Sequence, residues 1–95
     1  MKFVAFWEYY PADFEKLMEK NERIRKDRLQ HPDKYPQNLR LQDMTGTAFG
    51  MIGLSKGFSL MEVDSAEQLR AVSRNYAPEL RFTFVPIIQT EGTKN

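Results

Sequence analysis

The sequence predicts an α+β domain of ferredoxin-like βαββαβ order, a four-stranded antiparallel sheet with two helices on one face. Three observations lead there. Stretches rich in β-branched and aromatic residues open and close the chain, over residues 2–10 and 81–88. Amphipathic helical stripes follow the first and third strand patterns, which is the alternation of a split βαβ fold. Ninety-five residues, 41% of them hydrophobic, are enough for one core and too few for two. The domain is expected over 1–88, with a polar tail at 89–95 that frays.

Residues 2–10, KFVAFWEYY, carry apolar side chains on both alternating faces. Phe3, Ala5, Trp7 and Tyr9 share one face; Val4, Phe6, Glu8 and Tyr10 share the other, which holds the only charge. Pro11 and Asp13 then open a helix, because proline is tolerated in a first turn and aspartate accepts orphan N–H bonds. Phe14, Leu17, Met18, Ile24 and Leu29 are read as its apolar stripe, with Glu19–Arg23 and Glu22–Lys26 as i,i+4 pairs. His31-Pro32 stops the helix, since the residue before a proline avoids the α region, and Pro36 makes 31–38 a turn-rich connection.

Residues 39–43 set Leu39 and Leu41 against Arg40 and Gln42, the alternation of a half-exposed strand near a sheet edge. Gly46, Gly50 and Gly53 punctuate the greasy stretch that follows, among Phe49, Met51, Ile52 and Leu54, so 44–56 is either a bulged hairpin or a lid loop. Residues 57–64 form the third strand. Ser65-Ala66-Glu67-Gln68 has capping-box spacing, and Ala66, Leu69, Val72, Tyr76 and Leu80 continue as a stripe until Pro78 ends the helix. The last strand, 81–88, contains Pro86, which cannot donate to a ladder and so belongs at an edge or a strand end.

Right-handed crossovers put both helices on one face of such a sheet. Charges avoid the face beneath helices, so Glu8 and Glu62 assign Val4, Phe6, Phe58, Leu60, Arg81, Thr83, Val85 and Ile87 to the bare face. Phe3, Trp7, Met61, Val63, Phe82 and Phe84 then make the core. A bare face this apolar exceeds what a soluble monomer tolerates and calls for a cover. A second copy, packed sheet to sheet as a homodimer, is the economical one and encloses a cavity.

Composition narrows the chemistry. Fourteen Lys and Arg against thirteen Asp and Glu give a net charge of +1, which disfavours nucleic acid as a partner. The absence of cysteine removes thiolate and Cys-metal sites, and one histidine builds no metal site alone, so neither a metal nor a cofactor is expected. No apolar run is long enough to span a bilayer, and the start has no signal-peptide layout, so a cytoplasmic protein without a membrane partner is expected.

Lys56-Gly57-Phe58 leading into a strand, Asp64 before a capped helix, Tyr76 late in that helix, and the Phe82 to Pro86-Ile87 strand are similar to an uncharacterised prokaryotic family, a domain of unknown function of the dimeric α+β barrel type. Tyr76 departs from the tryptophan usual in that family. The resemblance implies a homodimer whose two sheets form a barrel and implies no particular activity. The wider barrel type includes cofactor-free monooxygenases, an analogy of fold alone.

The candidate ligand-binding residues are those of the bare face: Phe6, Glu8, Phe58, Leu60, Glu62, Arg81 and Thr83. Glu8 ends the first strand and Arg81 begins the fourth, so they meet either as a rim ion pair or as a holder for a polar ligand group. Glu62 sits at the far end of its strand, too distant to form a carboxylate dyad with Glu8. No catalytic residue can be named. Three functions stay open: a module binding a small, mostly apolar molecule in the inter-sheet cavity; a cofactor-independent monooxygenase-like enzyme; and an RNA-binding sheet. The last rests on Lys56-Gly57-Phe58, which starts like an RNA-recognition signature but continues with Leu60 and Val63 where aromatics belong.

Overall fold

The computed structural model describes residues 1–88; the 89–95 tail lies outside the described residues. Strand β1 (Lys2–Glu8) lies inside the sheet because both its faces are apolar. It pairs antiparallel with β4 (Lys56–Glu62) on one side and with β5 (Arg81–Pro86) on the other. Two short strands, β2 (Gln37–Leu39) and β3 (Ala48–Gly50), both pair with the outer edge of β4. The sheet order is therefore β2-β4-β1-β5, with β3 beside β4 as well, in one antiparallel sheet. Pro86 is the last residue of the edge strand β5, where its missing N–H is harmless.

The sheet has five strands rather than four, and the expected strand at 39–43 is displaced. Leu39 pairs with Leu60 and Ala48 with Ser59, so residues 40–47 leave the sheet and return one rung further along. The Leu39/Leu41 alternation reads as strand, but the chain turns there instead, with the Met44 N–H donating to the Leu41 carbonyl at 2.8 Å. The 44–56 stretch resolves into β3 followed by a tight turn. The Met51 N–H donates to the Lys56 carbonyl, and Gly53, at φ +77°, takes a backbone position that a side chain resists.

Helix α1 (Phe14–Gln30) follows a single 3-10 turn at Pro11–Asp13 and stops before Pro32. Leu17 and Ile24 are buried as expected, whereas Leu29 is 74% exposed. At about 100° per residue, Leu29 stands roughly 140° from Ile24 around the helix, while Arg28 is only about 40° away. Arg28 thus occupies the inward stripe that Leu29 was expected to share. The ion pair found in the middle of this helix is Glu22–Arg25 at 2.6 Å, in place of the expected i,i+4 pairs. Helix α2 (Ala66–Tyr76) starts without a side-chain bond from Ser65; Gln68 instead accepts from the Asp64 N–H at 2.7 Å and donates to the Asp33 carbonyl. Ala66, expected on its apolar stripe, is exposed.

Ala5, Ile24, Tyr35, Met61, Val63, Ala71 and Val72 are buried together, with Phe3, Leu69, Tyr76, Phe82 and Phe84 packed against them. The face assignment made from Glu8 and Glu62 matches this core. Tyr35, in the turn-rich connection, is 3% exposed. Its hydroxyl donates to Asp27 Oδ2 at 2.5 Å and accepts from Asn75 Nδ2 at 3.1 Å, which satisfies its polar end inside the protein. Burial first, and then the Asp27 carboxylate, push the Tyr35 phenol up to about 12.

Candidate functional site

The helix-covered face of the sheet keeps a cavity of about 430 Å³ between itself and the helices. Aromatic rings from the sheet and both helices form part of its wall. β1 contributes Trp7, with Tyr9 just beyond it; α1 contributes Phe14, Leu17, Met18, Asn21 and Arg28. α2 adds Val72 and Tyr76, and β5 adds Phe82. Trp7 and Tyr9 stack at 6.4 Å, and Tyr76 meets the edge of Phe82 at 5.7 Å. The Tyr76 hydroxyl donates to Asn21 Oδ1 at 2.7 Å, and burial raises its pKa above that of an ordinary tyrosine.

Gly57 makes this wall possible. It pairs with Trp7 across the β1–β4 ladder, and a β-carbon there would collide with the Trp7 indole and the Phe49 carbonyl. The indole therefore lies directly against the β4 backbone. The polar lining is sparse: Asn38 from β2, Thr47 before β3, Ser59 from β4, Asn21, Tyr76 and Arg28. Asn38 and Ser59 reach this side because Asn38 pairs with Met61 and Ser59 with Ala5, both helix-face residues.

On the bare face, Phe6, Glu8, Arg81 and Thr83 come together around a second, smaller hollow of about 210 Å³, with Met51, Lys56 and the backbone of Gly57. Glu8 is flanked in register by Lys56 on β4 and Arg81 on β5, so one carboxylate sits between two cations. Arg81 Nη1 lies 3.9 Å from Glu8 Oε1, and its guanidinium stands 4.5 Å from the Tyr10 ring centroid. The structure does not bring Phe58, Leu60 or Glu62 to that hollow. Phe58 packs against Phe49 at 5.2 Å, Leu60 pairs with Val4 and Leu39, and Glu62 is bound to the Met1 amino group at 2.7 Å and to Lys2 at 3.0 Å. Those two cations hold the Glu62 carboxyl below the usual glutamate range.

The polar cleft residues that sequence reasoning missed are Asn21, Arg28, Asn38, Thr47 and Ser59. Arg28 could have been found from the helical period alone, whereas Thr47 depends on the return of the chain at β3, which no local pattern marks. Among the described residues no cluster of acids and histidine is arranged to hold a metal ion, and no helix is long and apolar enough to cross a membrane.

Fold and site together define a small α+β sheet-and-helix domain with an aromatic cleft under its helices. The chain belongs to the family DUF3303, a domain of unknown function, whose model matches residues 1–95. A search of the curated proteins finds no match.

Proposed function

We propose that this domain is a homodimeric module that binds a small, mostly apolar molecule, held in the cleft between the helices and the sheet. The observation that carries the reading is the 430 Å³ cavity itself, within the range of small-ligand sites and lined mostly by apolar side chains, five of its residues aromatic, with several polar groups among them. Its location differs from the inter-sheet cavity expected from sequence, because the space left by Trp7, Tyr76 and Phe82 lies on the helix side. Binding is favoured over catalysis because no Asp, Glu or His of the described residues lines the cleft.

Taking β2 and β3 as one interrupted edge strand gives the ferredoxin-like arrangement of the dimeric α+β barrel type. Phe6 and Val85 are 42% and 40% exposed on the bare face beside Val4, Phe58 and Leu60, which supports sheet-to-sheet pairing of two copies. Native mass spectrometry of protein taken from its own host tests both parts. The expected result is a dimer mass carrying a retained small molecule. A monomer mass, together with no shift of the Trp7 and Met61 resonances across a library of aromatic fragments, would overturn the reading.

A further inference from the structure

We infer that the ligand of the cleft is a flat apolar acid whose carboxylate is held by Arg28, an inference that rests on the cleft being a binding site. Among the described residues that line the cavity, Arg28 is the only charged one, and no acidic side chain accompanies it. It also takes part in none of the salt bridges between described residues; the neighbouring Asp27 carboxylate is occupied by Lys34 at 2.8 Å and by the Tyr35 hydroxyl. Arg28 Nε is buried without a hydrogen-bond partner. That N–H therefore has no acceptor among the described residues, and a buried donor without one costs free energy.

The guanidinium also meets an aromatic ring. It lies 5.2 Å from the centroid of the Tyr35 ring, and that ring is fixed at its hydroxyl by Asp27 and Asn75. A planar cation matches a carboxylate, which it can grip through two parallel bonds. Asn38 lines the same cavity, and its Oδ1 is buried without a partner, so a small side-chain rotation would offer an acceptor for a hydroxyl or N–H carried beside the acid. Trp7, Tyr76 and Phe82 supply flat walls for the rest of the molecule. The ligand is therefore an aromatic or similarly planar carboxylic acid, with room for one donor group near its charge.

The test compares two probes of the same ring system, 2-naphthoate and neutral 2-naphthalenemethanol, by calorimetric titration of the full chain and of Arg28→Met and Arg28→Lys. The acid is expected to bind about tenfold more tightly than the alcohol, the ratio expected for one charge-assisted contact. Arg28→Met should erase that advantage and leave the alcohol within about twofold, and Arg28→Lys should retain part of it. Equal binding of both probes to the unaltered protein would overturn the inference while leaving a binding cleft in place. Binding of neither would overturn both. The comparison in the unaltered chain decides the matter even if a variant fails to fold.

Discussion

Ala5 is fully buried, and Phe6, the next residue on the same strand, is 42% exposed. The two faces of this sheet are built from alternate residues of the same strands and carry similar apolar content, yet only one receives the helices. The difference shows what the helices contribute. Over Ala5, Met61 and Val63 they complete a packed core, and toward Trp7, Tyr76 and Phe82 they leave a cleft. On the other face Val4, Phe6, Phe58, Leu60 and Val85 form an apolar surface, with charged residues at its ends and Thr83 beside Phe6. The covered face is thus suited to enclosing a small molecule and the bare face to meeting a surface as broad as itself.

The sharpest contrast comes from truncating one residue under each regime. Ile24→Ala, in the buried core, should lower stability by about 3 kcal/mol in denaturant unfolding. Phe6→Ala should cost less than about 1 kcal/mol when the chain is dilute, and more as concentration rises if the bare face pairs with another copy. A cost at Phe6 as large as that at Ile24, and independent of concentration, would break the comparison.

Gly57→Ala should come next, at about 1–3 kcal/mol, because the new methyl has no room beside the Trp7 indole or the Phe49 carbonyl. Trp7 is the single tryptophan of the chain, so its fluorescence reports the displacement directly. An unchanged emission spectrum would show that the indole does not lie against β4.

The smallest effect belongs to Tyr35→Phe, at about 1 kcal/mol near neutral pH, through loss of the bonds to Asp27 and Asn75. This substitution also has a pH signature. Because the folded-state phenol is raised to about 12 from an ordinary value of 10.0, the folded chain holds that proton more tightly than the unfolded one. Its contribution is therefore complete below about pH 10 and is lost as pH rises toward 12. Stability of the unaltered protein should fall more steeply across that window than stability of Tyr35→Phe. Parallel curves would show that Tyr35 is not buried against Asp27.

Much of this fold was legible in residues whose type is costly to misplace. Glu8 and Glu62 each assigned their whole strand face, since a charge beneath helices is penalised and alternation then sorts every neighbour. The split of the edge into β2 and β3 was not legible, because three-residue strands are defined by register on β4 rather than by their own pattern. Tyr35 escaped for a related reason. It stands between Pro32 and Pro36 in a polar connection, and only the distant Asn75 and the preceding helix make its burial possible. For the candidate site, the Glu8–Arg81 meeting was legible in the sequence, whereas the cleft under the helices was not, since the space left between side chains depends on three-dimensional packing.

The most direct test of the central claim is an NMR titration of the full chain with 2-naphthoate, following resonances from both faces of the sheet. Shifts concentrated on the Trp7 indole, the Met61 methyl and the Asn38 side-chain amide, with Phe6, Phe58 and Val85 unmoved, are the predicted result. Shifts on Phe6, Phe58 and Val85 with Trp7 and Met61 unmoved would place binding on the bare face and contradict the account.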